Sequence, residues 1–399
     1  MKHERRNFIH TALTTGILAS IFGSRKALAQ TAEPAPITDW HAELTQRITA
    51  LEAKGGGTLQ LEDGVYEIAK TLRLPRSVSL VMTPNAVIRA TKGFQGEAVI
   101  VKGGGKYSKH SETAGWIQGG VIDGNKQKLI GILVEDLHRL EIADLSVLNA
   151  LHRGVEILQG GNETNLTRVR CDVDMGTPLS PGSIGIQVAK TDCKFSNIHV
   201  IGYETGIASL AGSNWFNQVH VWNWVNHGPM KYCFVCAGGN NSFNQCYADS
   251  PSIVGFHMKA PSQTIVACRV YYSQWGTDDA GAGILIEKGA GFGTYIGNVF
   301  FATPEHRLAK CYDGVLSGAC ILGSSAWNVT GGFANQIPSG SGKEQPPLNL
   351  YGSGLRLTQQ RTAPLPEHGS LGDVRWVEDE TSSALWIKTS KGWKKSALT

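Results

Sequence analysis

Asn214-Trp-Phe-Asn-Gln-Val-His-Val-Trp222 returns 27 residues later as Asn241-Ser-Phe-Asn-Gln-Cys-Tyr-Ala-Asp249, and 22 residues after that as Gln263-Thr-Ile-Val-Ala-Cys-Arg-Val-Tyr271. The buried-type residue at the sixth place extends in both directions as a column: Val121, Leu145, Val169, Ile198, Val219, Cys246, Cys268 and Val299. Three positions earlier stands a second apolar residue: Ile142, Leu166, Phe195, Phe216, Phe243, Ile265 and Ile296. A further column reads Gly-apolar: Gly131-Ile132, Gly154-Val155, Gly185-Ile186, Gly206-Ile207, Gly255-Phe256 and Gly283-Ile284. Cys233-Phe234 and Gly318-Ala319 are its looser members. Short period-2 strands separated by Gly and Asn turns, with no helical segment between them, predict strands alone. A strand set that cannot bury its own apolar face must stack on copies of itself, and a repeat of roughly 25 residues implies a solenoid. The fold class expected is all-β, a single-stranded right-handed parallel β-helix; the hand follows from the general rule for parallel crossovers.

The rest of the chain reads outward from this core. Residues 1–29 carry Arg5-Arg6, a mild apolar run to Phe22 and Ala27-Leu28-Ala29, the pattern of a twin-arginine export peptide with its cleavage site. Export to the periplasm or beyond is therefore expected, without a stable membrane span, because Thr and Gly interrupt the run. The leader takes five basic and one acidic residue from the 37 and 33 of the chain, which leaves 32 of each. A mature chain of zero formal charge argues against a nucleic-acid or anionic-membrane partner. Residues 30–54 are a linker and an amphipathic helix (Trp40, Leu44, Ile48, Leu51) suited to cover the open end of the solenoid. The solenoid is expected over 55–337. Residues 338–399 form a Gly/Ser/Pro-rich linker and a hairpin of Val374-Arg-Trp-Val377 with Ala384-Leu-Trp-Ile-Lys388, read as a cap.

Two segments carry a resemblance. Gly55-Gly-Gly-Thr-Leu-Gln-Leu61, Gly64-Val-Tyr-Glu-Ile68, Leu72-Arg-Leu-Pro75 and Val78-Ser-Leu80 resemble the opening of the pectate-lyase-like domain of bacterial polysaccharide enzymes and phage tailspikes. Ile117-Gln-Gly-Gly-Val-Ile-Asp-Gly124 is similar to the early rung that follows there, and residues 214–250 resemble tailspike-type rungs. The resemblance covers about 55–330 and implies the β-helix fold and a polysaccharide partner; homotrimers occur among such solenoids. Neither the polygalacturonase constellation nor the pectate-lyase signatures are present as sets, so the reaction stays open.

Cysteine usage adds little. Of eight cysteines, Cys246 and Cys268 fall in the buried column, and Cys171 and Cys236 at inward positions, so reduced, packed thiols are expected. Cys233-x-x-Cys236 is a weak metal signal, because the two should face opposite sides of a strand.

Chemistry is sought where the repeats lengthen. The spacings along the first column are 24, 24, 29, 21, 27, 22 and 31. The excess falls in four loops, 172–183, 222–232, 271–282 and 302–317, which should emerge on one face. Outward residues beside them are Arg170, His199, His220, Tyr247 and Arg269, then Asp172, Ile201, Trp222, Asp249 and Tyr271. The loops add Trp224, His227, Lys231, Trp275, Asp278, Asp279, Glu305, His306 and Arg307. Aromatic rings that stack on sugars, mixed with acids and bases, suit an oligosaccharide groove. Trp222, Trp224, Tyr271, Trp275 and His227 are the candidate substrate contacts. A glycoside hydrolase would pair Asp249 with Asp278 or Asp279, at about 5–5.5 Å if retaining and 6.5–9.5 Å if inverting. A polysaccharide lyase would use Arg269, His220, Tyr247 and Lys231 to neutralise a uronate carboxylate and remove the adjacent proton. No cofactor is expected, although Asp278-Asp279 offers a weak Ca²⁺ signature. A uronate epimerase and a non-catalytic glycan-binding solenoid remain as alternatives.

Overall fold

The structure is a computed structural model that describes residues 39–104, 115–160, 163–273, 281–303, 308–314, 319–327, 359–360, 374–378, 383–389 and 391–397. The described residues belong to one compact unit, Asp39–Thr399. The leader, the linker at 338–347 and the last residues expected of the solenoid lie outside them.

Twenty-six strands pair in parallel to form one continuous network. Each turn of the chain lays down three strands, and each strand pairs with its equivalent one turn on, so three parallel sheets enclose one core. Sheet A stacks Leu59, Leu80, Ile117, Ile142, Leu166, Phe195, Phe216, Phe243, Ile265, Tyr295 and Ile321 in register. Sheet B stacks Ile88, Ile122, Val147, Cys171, Val200, Val221, Ala248, Val270 and Phe300. Sheet C stacks Ile100, Ile132, Val155, Ile186, Ile207, Phe234, Phe256, Ile284 and Tyr312. Nearly all of these side chains are buried. This is the all-β parallel β-helix that the repeat predicts.

The aromatic members stack along the axis. Phe195, Phe216 and Phe243 lie ring on ring at 4.6 and 4.7 Å, and Phe234 lies on Phe256 at 4.5 Å. Phe243 then meets Phe234 and Phe256 edge-on at 5.6 and 5.7 Å, closing the space between sheets A and C. Each ring removes on the order of 1.5–3 kcal/mol worth of apolar surface from water.

Corners come from single left-handed residues. Asp144, Arg168, Asn197, Gln218, Gln245 and Ala267 join sheet A to sheet B at φ between 52 and 55°. A residue in this conformation reverses the side-chain alternation, which is why buried side chains stand on both sides of it three positions apart. The N–H that points inward at such a corner needs an acceptor. At the corresponding corners from sheet C to sheet A, after left-handed Asp192 and Ser213, Cys193 N–H donates to Asn214 Oδ1 at 2.9 Å and Asn214 N–H to Asn241 Oδ1 at 3.0 Å. Cys246 N–H donates to Cys268 Sγ at 3.3 Å, and Cys268 N–H to Asn298 Oδ1 at 3.0 Å.

The last pair corrects the sequence register. Arg269 stacks on Val299, and Ile265 on Tyr295, so the buried members of that rung are Tyr295 and Asn298 rather than Ile296 and Val299. A polar asparagine disguised the column because its task is to accept a backbone hydrogen bond. Val121 is likewise one residue late, since it stacks on Ser146 and Ile122 points inward. In the third column the terminal member is Cys311-Tyr312, paired with Ile284, instead of Gly318-Ala319. The fourth loop therefore ends before the strand Lys310–Gly314. Cys233 and Cys236 are both buried, contrary to the opposite facing expected. Cys233 occupies the glycine place at the start of sheet C, where its thiol packs against Met230. All eight cysteines are free thiols, and only Cys320 is exposed.

The N-terminal helix α1 spans His41–Ala53. Asp39 sets its start: Oδ1 accepts His41 N–H at 3.0 Å and Ala69 N–H at 3.1 Å. Leu44 and Ile48 are buried against the first rungs, and Trp40 meets Tyr66 edge-on at 5.0 Å. Gly56 lets the chain turn from helix to solenoid, because at φ +125° a Cβ would stand 2.5 Å from Ser77 O. The expected C-terminal hairpin, Val374–Glu378 with Ser383–Thr389, gains a third antiparallel strand, Gly392–Ala397, and Gln359–Gln360 pairs in parallel with the first. Among the described residues no helix is long and apolar enough to cross a membrane.

Candidate functional site

Sheet B presents two outward rows. Strict register places Arg170, His199, His220, Tyr247, Arg269 and Val299 in the first, one rung apart. The second holds Asp172, Ile201 and Trp222, then Asp249, Tyr271 and Phe301. Alternation in the strands sends these side chains away from the core while Val221, Ala248 and Val270 fill it.

The centre of the patch is an aromatic stack. His220 lies flat on Tyr247 at 4.5 Å with 9° between the rings, meets His199 edge-on at 5.7 Å and approaches Trp222 at 6.0 Å. Trp222 contacts Trp224 at 4.3 Å. One rung on, Tyr271 stacks on Phe301 at 4.3 Å.

Asp249 is the acid of this group. Its Oδ1 accepts the Ser250 hydroxyl at 2.8 Å, and Ser250 is in turn held to Ser273 Oγ at 2.7 Å. Asp249 Oδ2 stands 3.6 Å from His220 Nε2, an enclosed atom that has no hydrogen-bond partner among the described residues. Burial, then the Asp249 charge and the Tyr247–Asp249 hydrogen bond, push the Tyr247 hydroxyl well above the usual phenol range, and Arg269 opposes them. Tyr247 thus keeps its proton at neutral pH, whereas the exposed Arg269 supplies the cation. Farther down the row, burial is the largest cause that lowers His199, followed by the neighbouring His220 and Arg170. Arg170 is engaged with Asp172.

Sequence reasoning thus groups His220, Trp222, Tyr247, Asp249, Arg269 and Tyr271 as the structure does, together with Trp224. Two candidates stand apart. His227 is buried, with Nδ1 against Asn223 Oδ1 at 2.8 Å and Nε2 against Asp174 O at 2.9 Å. It pins loop 222–232 to loop 172–183 instead of facing a substrate. Lys231 lies at the entrance to sheet C, 3.3 Å from Glu204 Oε2. Trp275, Asp278, Asp279, Glu305, His306 and Arg307 lie outside the described residues. Ser250 and Ser273, which position Asp249, were missed because nothing in their spacing marks them. Phe301 is the next member of the second outward row, and a correct register over the last rung would have found it.

No family model matches the sequence, and no curated protein sequence matches it. Solved structures do match. The A-module of mannuronan C-5 epimerase AlgE4 from Azotobacter vinelandii superposes with a TM-score of 0.56 at 13% identity, covering 75% of this chain and 96% of that one. The A-module of mannuronan C-5 epimerase AlgE6 from the same organism gives 0.52 at 13%, over 79% and 93%. The tailspike protein of E. coli bacteriophage HK620, solved in complex with a pentasaccharide, gives 0.61 at 13%. The match covers 77% of this chain but only 61% of that tailspike. Together with the large parallel sheet, these likenesses establish the parallel β-helix fold. At such identity they speak for fold alone.

Proposed function

We propose that the protein binds an acidic polysaccharide across the outward face of sheet B and acts on it by removing the proton beside a uronate carboxylate. The observation that carries this reading is the three-rung stack of His220, Tyr247 and Arg269 around one anchored carboxylate, Asp249. Elimination needs a cation for the substrate carboxylate, a base and an acid. Arg269 neutralises the carboxylate. His220 takes the proton from carbon, and Asp249, 3.6 Å away, stabilises the imidazolium that results. The electron pair left behind forms the C=C bond as the glycosidic C–O bond breaks. Tyr247, which keeps its proton, delivers it to the leaving oxygen. Returning a proton to the opposite face of the carbon instead would give epimerisation.

Polysaccharide-related structural neighbours support glycan binding or modification in general. Hydrolysis would need a second carboxylate near Asp249. Asp172 is three rungs away, roughly 14 Å at about 4.8 Å per rung, which is too far for a direct partner. The leader supports an exported protein acting in the periplasm or outside the cell.

The test is incubation of the mature protein with acidic and neutral polysaccharides while absorbance near 235 nm and reducing ends are followed together. Both rising supports elimination. Reducing ends without absorbance would replace it with hydrolysis and direct mutagenesis to Asp249, Asp278 and Asp279. Uronate inversion without new ends would mean epimerisation, and affinity without any reaction would mean a binding solenoid.

A further inference from the structure

Two of the loops beside the patch are joined across a rung that carries no long loop. Loops 172–183 and 222–232 leave sheet B on either side of a rung whose chain passes from Ile201 to Thr205 with three residues between the strands. Loop 222–232 therefore meets a gap about one rung, roughly 4.8 Å, deep. The His227 ring enters this gap. Gly202 makes the room for it, because at φ +81° a Cβ there would stand 2.9 Å from His227 Cε1 and Nδ1. The histidine is 3% exposed, with Nδ1 2.8 Å from Asn223 Oδ1 and Nε2 2.9 Å from Asp174 O. Leu179 N–H donates to His227 O at 2.9 Å, so main chain and side chain both cross to loop 172–183.

Both ends of this brace are anchored. On the far side, Asp174 N–H donates to Asn149 Oδ1 at 3.0 Å, and the Asp174 carboxylate meets Lys126 Nζ at 3.2 Å. On the near side, Asn223 Nδ2 donates to Gly228 O at 2.5 Å. His227 N–H donates to Trp224 O at 3.0 Å and closes the single 3₁₀ turn Val225–His227. Trp224 opens that turn. Its ring meets Trp222 edge-on at 4.3 Å, and Trp222 lies 6.0 Å from His220. The brace thus ends at the aromatic pair beside His220. A side chain that becomes ordered only when a ligand arrives subtracts from affinity, so a ring held in place beforehand binds more tightly.

We propose that His227 is a positioning residue: by bracing loop 222–232 against loop 172–183 it holds Trp224, and through it Trp222, ready for a sugar ring, and so sets the affinity of sheet B for its glycan. The inference rests on the glycan reading above and adds to it a residue outside the binding face that controls binding. Freed from Asp174, the turn keeps both tryptophans but must order them each time a glycan binds. The loss falls on affinity. The chemistry at His220, Tyr247 and Asp249 is unchanged once the glycan is in place.

The experiment is a double-mutant cycle of His227→Ala and Trp224→Ala in the full chain. Kd is read by titration calorimetry with oligogalacturonate, oligomannuronate and neutral maltohexaose, beside a thermal melt of each variant. Each single variant should weaken binding of the probe that the wild type takes by about tenfold. The double variant should bind no more weakly than Trp224→Ala alone, because His227 acts through that ring. Where turnover is measured, His227→Ala should raise KM by the same factor and leave kcat. Gly202→Ala keeps the histidine but crowds its ring, so it should reproduce the loss, and it serves where His227→Ala does not fold. Additive losses in the double variant overturn the proposal, as does a His227→Ala variant that binds like the wild type. Normal binding by Trp224→Ala with binding lost in Arg269→Gln also overturns it, and then the sheet B reading stands. A wild type that binds none of the three probes overturns that reading and this inference with it.

Discussion

At the scale of single residues, the patch makes separable demands. Under the proposed elimination, Tyr247→Phe removes the hydroxyl that would donate to the leaving oxygen and leaves the His220 stack in place. It should lower turnover by about 10²–10⁴ with little change in stability, measured as kcat beside a thermal melt. Asp249→Asn removes the charge facing His220 Nε2 but can still accept from Ser250, so it should also lower turnover without unfolding the chain. Full activity in both variants would remove this patch from the chemistry. These residues were legible in the sequence because strand alternation fixes facing once one buried position is known. His227 was misjudged for the opposite reason: loop residues carry no periodicity, and only the contacts with Asn223 and Asp174 reveal a pin.

Elements add a second kind of constraint, repetition across rungs. Phe243 touches stacked neighbours along sheet A and edge-on neighbours on sheet C, so Phe243→Ala should cost about 3–5 kcal/mol, checked by denaturant unfolding. Asn241 accepts Asn214 N–H and donates to Gly238 O at 2.7 Å. Asn241→Ala leaves the Asn214 N–H buried and unpaired, while Gly238 O keeps its second donor, Gln263 Nε2 at 2.8 Å, and a loss of roughly 1–3 kcal/mol is expected by the same assay. The corner ladder also explains where register was lost. Val121 follows two glycines, and the rung at Asn298 puts a polar side chain where an apolar one had stood, so a pattern read from hydrophobicity slips by one.

Across the whole molecule, one buried charge gives a pH signature. Lys102 is fully buried, with Nζ donating to Pro75 O at 2.7 Å, Arg76 O at 3.0 Å and Val78 O at 2.7 Å. Burial, with the Arg76 charge second, lowers its pKa to about 7 from 10.5. The unfolded chain therefore binds more protons than the folded one between those values, and stability gains a positive slope with pH across that window. Compared with Lys102→Met, the wild type should become progressively more stable from pH 7 to pH 10, measured by chemical denaturation at each pH. Parallel slopes for the two proteins would remove this assignment.

The sequence by itself determined the class of architecture, the strand repeat and the outward row of sheet B. Each depends on period-2 alternation and on a core that must be apolar at every rung, and both are local in the chain. Only the tertiary structure decided the register at the two ends of the repeat, the burial of His227 and its reach past Gly202 to Asp174. Those depend on which backbone group or side chain of a neighbouring rung lies within hydrogen-bond reach, a distance across the axis that no spacing along the chain encodes.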